Sequence, residues 1–436
     1  MRVLIVGAGI GGLCTALSLE AVGITDIVVI EAVPEILPLG VGINLLPHAV
    51  RELTELGLSE QLAAVGVATS DLTYVDRFGS AIWSEPRGIA AGYHWPQYSI
   101  HRGRLQNLLL QEAIRRLGPE AIRAGCRVRT ATTGDNLAYL TWLDGDAEVT
   151  ESADVVIAAD GIKSAIRADW FPDEGPPQWN GQVMWRGVSQ VTPFRSTKSM
   201  VMAGDREQKF VAYPIEAVRD DGTQLINWIA EKDCSGSELA QQDWNRKVGK
   251  DSFAPEFDSW SFDWLDIPRV IDAADAVFEY PMVDRPSLDS WIRGRVALLG
   301  DAAHPTYPIG SNGSSQAILD ARVLAYALAT LPVDQALKFY EDERLPRTRE
   351  LQRVNRAMGP ELVMQMVRER APAGFTNIHD VIDAAELDEV AASYKRVAGF
   401  APTMLNERVS WTPTDEPAPI LAPTEALNPT QVGIER

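Results

Sequence analysis

The chain is poor in cysteine, poor in histidine and short of basic charge. Cys14, Cys126 and Cys234 are its only cysteines in 436 residues, and they lie far apart. They offer no CxxC metal or redox pair and no disulfide framework. So odd and sparse a set suits a reducing cytoplasm, the expected compartment. The five histidines, His48, His94, His101, His304 and His379, form no HxxH or HExxH pair, so no protein metal site is expected. Forty basic against sixty acidic residues leave a net charge of −20. That balance argues against a nucleic acid, which needs clustered Lys and Arg, and against a polybasic membrane anchor. No apolar run approaches the roughly 18 residues of a membrane span. Met1–Val6 is not read as a signal sequence, because its apolar run breaks at once into Gly7, Gly9, Gly11 and Gly12 with no cleavage site. Internal repeats are absent too.

What the chain does have is the composition of a globular protein, 46% apolar and 23% charged, which excludes wholesale disorder. Residues 2–6 are a β-branched and leucine run, the pattern of a strand buried on both faces. A glycine turn, a helix-like stretch over 13–20 and a second apolar run, Ile27–Ile30, complete a βαβ unit that ends at Glu31. The turn fits G-x-G-x-x-G. Gly7 permits the tight bend, Gly9 lets a pyrophosphate approach the backbone, and Gly12 allows close helix–sheet packing. The helix start supplies free N–H groups for phosphates. Glu31 can accept hydrogen bonds from ribose hydroxyls, which disfavours a 2′-phosphate and points to FAD or NAD as the dinucleotide held. Cys14 falls on the apolar face of the first helix and reads as core filler.

Further along, helices are expected at 46–64 and 102–117, and a buried strand at 154–159 stops at Asp160-Gly161. From about 177 to 284 the runs are short and β-rich, and eight of the twelve tryptophans fall between Trp170 and Trp291. This suggests a second, sheet-rich domain with an aromatic face, with core filler in a β-sheet an equal reading for any one tryptophan. The buried-strand style returns at Arg295–Asp301, so the first domain is discontinuous with the second inserted into it. Residues 315–370 read as mostly helical, and the proline-rich end as a loose tail.

Two later turns carry further chemistry. Asp160-Gly161-Ile162-Lys163-Ser164-Ala165-Ile166-Arg167 follows one strand, and Gly300-Asp301-Ala302-Ala303-His304-Pro305 follows another, leading through Pro308–Gly313 into a helix. Asp301 can bind sugar-chain hydroxyls, and the amides around Gly310–Gly313 can face an electron-rich ring oxygen. Together with the N-terminal turn, these segments resemble the single-component flavin aromatic hydroxylases related to para-hydroxybenzoate hydroxylase. Pro38–Asn44, Tyr98–Gly103, Met184–Gly187, Tyr213–Ile215 and Tyr280–Arg285 narrow the likeness, which covers roughly residues 2–355 and leaves 356–436 unlike the family pattern.

The resemblance implies an α/β fold: a Rossmann-like FAD-binding domain with a parallel sheet (1–75, 100–176 and 285–345), an inserted β-sheet-rich substrate domain (76–99 and 177–284), a C-terminal helical region (346–411) and a proline-rich tail (412–436). Glu31 would bind the adenosine ribose, Arg102 the pyrophosphate, and the backbone near Val128 would meet the adenine side. Asp301 would serve the ribityl or pyrophosphate region. Gly42, Ile43, Gly310, Asn312 and Gly313 would line the isoalloxazine, with Pro308 facing the flavin near the substrate. Asp160 would support both FAD and a nicotinamide cofactor that docks transiently. The implied reaction uses NADPH or NADH and O2 to hydroxylate a small aromatic or heteroaromatic substrate through a flavin C4a-hydroperoxide, in a monomer or homodimer. The same scaffold could instead serve a reductase, dehydrogenase or oxidase that inserts no oxygen.

Catalytic side chains are not certain, since the flavin carries the chemistry. No histidine lies between His101 and His304, so Tyr213 and Lys209 are the nearest base candidates. Arg186 and Arg285 could hold a substrate carboxylate, with interdomain ion pairing the plainer reading. His304 reads as support for the turn that precedes it.

Overall fold

The computed structural model of the chain describes residues 1–236 and 246–414. Its first layer is a six-stranded sheet in the order Ile292–Arg293, Val296–Leu298, Val155–Ala158, Arg2–Val6, Asp26–Ile30, Ile122–Arg123, parallel except for the hairpin at its first edge. Arg2–Val6 lies between two parallel neighbours and Val3, Leu4 and Ile5 are fully buried, which is why that segment carries no polar alternation. Each such side chain contributes about 1.5–3 kcal/mol of burial. Helices Ile10–Ala21 and Gly313–Thr330 lean on one another, and Arg102–Leu117 packs on the first. A small antiparallel sheet, Cys126–Thr133, Ala138–Asp144 and Ala147–Ala153, sits beside the end of the second strand, where the Cys126 N–H donates to the Glu31 carbonyl at 2.8 Å.

The second layer is an eight-stranded sheet containing Gln178–Val191, Gln224–Asp233, Gln208–Pro214, Ser199–Gly204 and Asp71–Val75 as successive inner strands. Its first strand in the chain begins at Asp71, five residues before the expected boundary at 76. Gln97–His101 belongs instead to a three-stranded sheet with Gly42–Leu45 and Gly66–Thr69, which bridges the two layers. Alternation along the strands divides the faces. Trp185, Phe210 and Trp228 point to one side, where Phe253, Phe257 and Trp260 cover them, with Trp185 and Phe253 stacked at 4.8 Å. Met200, Met202, Val211 and Tyr213 point to the other. The aromatic face inferred from tryptophan content is therefore a closed core, turned away from the site described below.

The helix Val333–Arg356 runs through the boundary placed at 345/346. Beyond it, Leu362–Arg370 and Ala384–Val397 fold back over the second layer, and Pro402–Glu407 packs through Leu405 against Leu46 and Tyr93. Arg51 fastens the last of these by donating from Nη1 to the Leu405 carbonyl (2.8 Å) and from Nη2 to the Arg408 carbonyl (2.7 Å). Trp411 is buried against Tyr326 and Phe339. Most of the proline-rich tail, from 415 onward, lies outside the described residues.

Candidate active site

Three loops meet at the carboxyl ends of the parallel strands. Gly7 has φ +96°, and a Cβ there would stand 2.6 Å from the Ala159 carbonyl oxygen. One on Gly12 would stand 1.9 Å from the Gly7 oxygen, whereas nothing lies within 4 Å of the corresponding point on Gly9. Two of the glycines are thus required by packing, and the third leaves its backbone open. Arg167 locks the other two loops together: it is buried, its Nη1 donates to the carbonyls of Ala302 and Ala303 at 3.0 Å each, and its Nε donates to Glu174 at 2.9 Å.

The acids expected to serve the cofactor are held at this junction. Glu31 accepts from the N–H of Ala8 (2.7 Å) and of Val33 (2.9 Å). Asp160 accepts from the Ala165 N–H at 2.8 Å through Oδ2, while its Oδ1 is buried without a partner; burial pushes this carboxyl up. Asp301 is open to solvent yet crowded by neighbouring atoms, the situation of a group in a cleft. That crowding raises its carboxyl, against the pull of His304 and Arg102. Helices Ile10–Ala21 and Gly313–Thr330 begin with no side-chain cap and no acid in the first turn, leaving N–H groups free for anionic oxygens. An open backbone at Gly9, an orphaned buried carboxylate oxygen and two uncapped helix starts fit a dinucleotide.

Gly42 and Ile43 stand on the bridging strand, and the second layer grips that strand. The Gly42 N–H donates to Asn227 Oδ1 at 2.6 Å, and its carbonyl accepts from Arg186 Nη2 (2.8 Å) and from the Tyr213 hydroxyl (2.9 Å). A Cβ on Gly42 would stand 2.6 Å from Asn227. The Tyr213 hydroxyl is thus spent on the Gly42 carbonyl, with burial pushing its phenol up to about 12. Lys209 is no free base either, because it is enclosed between Glu231 Oε2 (2.8 Å) and Glu361. Arg285 pairs with Glu174 at 2.9 Å and donates to the Ile162 carbonyl at 3.0 Å, the ion-pairing role. His304 bonds Asp320 at 2.6 Å, and Asp320 also accepts from the Gly300 N–H and from Arg344, so the turn rests on a buried charged relay.

The loop at Gly310–Gly313 is pinned by side chains that the sequence reading left without a role. Gly310 has φ +67°, and a Cβ would come within 2.0 Å of the Tyr394 hydroxyl. Asn312 accepts from His48 (3.2 Å) and Gln316 (3.0 Å), and His48 stacks on Phe400 at 4.9 Å. Asn44 donates to Ser311 Oγ at 3.3 Å. Pro308, just ahead of the loop, is exposed, and Val128 lies in the small antiparallel sheet, two residues past the Cys126 contact with Glu31. Beside the loop lies a narrow cavity of about 20 Å³, between the Met200 and Met202 face of the large sheet and the C-terminal Tyr394 and Phe400. Tyr394 and Phe400 belong to a segment with no motif, and only packing reveals them.

The parallel sheet with three converging loops, set against an antiparallel sheet across a cavity, defines a flavoprotein of the aromatic-hydroxylase type. The chain belongs to the FAD binding domain family, which matches residues 1–355. It is 40% identical over 402 residues to the phenazine 1,6-dicarboxylic acid hydroxylase PhzS of Lysobacter antibioticus, spanning 91% of this chain and 96% of that one. The likeness therefore runs past residue 355, further than the motifs alone extend. A 3-amino-4-hydroxybenzoate 2-monooxygenase of Streptomyces cremeus is 31% identical over 396 residues, covering 87% and 94% of the two chains. Among solved structures, Klebsiella pneumoniae HpxO with FAD and uric acid superposes with a TM-score of 0.69 over 93% of this chain and 95% of that one, at 23% identity. The protein is an FAD-dependent aromatic monooxygenase that draws on NAD(P)H and O2.

Proposed function

We propose that this enzyme hydroxylates a fused nitrogen heteroaromatic acid of the phenazine type, with or without loss of a carboxylate. The observation that carries the reading is the cavity beside Gly310–Gly313, in a chain 40% identical to a phenazine dicarboxylic acid hydroxylase. In this reading Glu31 holds the adenosine ribose, Arg102 and the two helix starts hold the pyrophosphate, and Asp160 and Asp301 orient the sugar chain. The backbone near Val128 flanks the adenine. Bound FAD supplies the redox and oxygen-transfer chemistry. Gly42, Ile43 and the 310–313 amides fix the ring system, with Arg186, Tyr213 and Asn227 holding Gly42 still. Tyr394 and Phe400 cover the cavity and exclude water, which keeps reducing equivalents from being wasted. Neither Tyr213 nor Lys209 is free to take a phenolic proton, and this favours an amino-substituted or fused heteroaromatic ring, which needs no phenol deprotonation, over a simple phenol.

The test follows NAD(P)H oxidation by the FAD-loaded protein with phenazine-1-carboxylic and phenazine-1,6-dicarboxylic acids under isotopic dioxygen. A product carrying one labelled oxygen, with or without loss of CO2, is expected. Hydrogen peroxide as the sole oxygen product across both acids and a panel of heteroaromatics would assign the chain to an oxidase or reductase instead.

A further inference from the structure

We infer that Arg87, with Tyr74 and Gln97, forms a carboxylate-binding subsite at the inner wall of the cavity and selects acidic over neutral substrates. The inference rests on the proposed function, and names residues that neither the motifs nor the comparisons assign.

The argument begins from hydrogen bonds that are missing. Tyr74 is fully buried on the strand Asp71–Val75, lines the cavity, and its hydroxyl has no well-formed hydrogen bond. It sits beside the Arg87 guanidinium, whose Nε is likewise buried without a partner. Gln97 is 2% exposed and lines the same cavity, yet its amide donates only to the Met200 sulfur at 3.3 Å. A thioether is a weak acceptor. Tyr93, whose hydroxyl is also buried and unpaired, stands next to Arg87. Buried polar groups are rarely left so, because each orphan has lost its water without gaining a partner. Here guanidinium, amide and hydroxyls collect in one wall, and all can donate. Each keeps donor capacity to spare, and an acceptor with several lone pairs, such as a carboxylate, would use it.

Charge gives the same answer. Arg87 pairs with Glu85, and Glu85 is shared with Lys395, which reaches it at 2.7 Å from the C-terminal helix. Two cations against one anion leave the wall with a surplus positive charge. Behind it, Lys209 is enclosed between Glu231 and Glu361, and burial pushes the Glu231 carboxyl up. A buried unit charge is costly unless paired, and a carboxylate carried on an aromatic ring supplies both the missing acceptor and the missing charge. An aliphatic wall of Leu72, Met200 and Met202 beside these donors suits the ring that bears it.

The test compares binding of phenazine-1-carboxylate and its neutral isostere phenazine-1-carboxamide to the FAD-loaded enzyme, by calorimetry or quenching of flavin fluorescence. The unmodified protein should bind the acid at least tenfold more tightly. Arg87→Met should weaken the acid by about ten- to hundredfold and leave the amide nearly unchanged, as expected for loss of a hydrogen bond to a charged group. Tyr74→Phe removes one hydroxyl and no volume, and keeps the experiment decisive where Arg87→Met fails to fold; it should weaken the acid severalfold and spare the amide. Equal affinities for acid and amide, or equal losses in the variants, would overturn the inference. Oxygen insertion without discrimination refutes the subsite alone. Discrimination without oxygen insertion refutes the proposed function alone, and failure to bind either phenazine refutes both.

Discussion

Tyr213→Phe separates two views of the site. The hydroxyl is buried and donates to the Gly42 carbonyl at 2.9 Å, and that carbonyl also accepts from Arg186 at 2.8 Å. Removing the hydroxyl leaves no orphan on the acceptor side, so the loss is the net worth of one neutral hydrogen bond, about 0.5–1.5 kcal/mol. Were all of that felt in the reactive geometry, the rate would fall by no more than about tenfold. Burial pushes the phenol up to about 12, so Tyr213 stays protonated through the neutral range and contributes no ionisation to the rate profile. The assay measures the melting temperature, kcat across neutral and mildly alkaline pH, and hydroxylated product formed per NAD(P)H consumed. A small drop in melting temperature, a modest drop in coupling and an unaltered pH profile are expected. Loss of a limb from the pH profile, with a fall in kcat of about 10²–10⁴-fold, is the behaviour of a general base and would refute the positioning role.

Gly12→Ala should abolish FAD binding, since its Cβ would stand 1.9 Å from the Gly7 carbonyl oxygen and only backbone could yield; the purified variant should lack flavin absorbance. His48 is fully buried and burial, with the Arg408 and Arg344 charges, holds its imidazole down at about 3. Its folded value lies below the unfolded one near 6.5, so its contribution is intact above that pH and is lost as pH falls toward 3. About 1.5 pH units below the unfolded value the loss reaches about 2 kcal/mol. His101 is shifted the same way and steepens the trend. Urea unfolding over that range should show a shallower pH dependence in His48→Gln, and an unchanged slope would contradict the assignment. Cys14 is fully buried, with burial raising its thiol to about 12, so iodoacetamide should label Cys234 in the native protein and reach Cys14 only after unfolding.

The cofactor half of the molecule was readable because its chemistry is local. A phosphate-binding turn needs glycines at fixed offsets and a helix start, and Gly7, Gly9, Gly12 and Glu31 all fall within one βαβ unit. The Asp-Gly and Gly-Asp turns are just as compact. Arg167 sits inside a motif that was recognised, but its contacts at Ala302 and Ala303, more than 130 positions away, could not be inferred from its neighbours in sequence. The substrate half is built the other way. Tyr74, Arg87, Gln97, Met200 and Tyr394 come from five separate segments, and none belongs to a spaced pattern. Period-two alternation marks which strand residues share a face, yet it does not say which face is closed by a core and which by a cavity. That choice was made by residues 253–271, whose Phe253, Phe257 and Trp260 cover the tryptophan side and leave the methionine side to the C-terminal helices. Of the two readings of the tryptophans, core filler is the one the packing takes. Orphaned donors locate the cavity wall, because an unpaired buried donor is a property of packing, and packing becomes visible only when the segments are brought together.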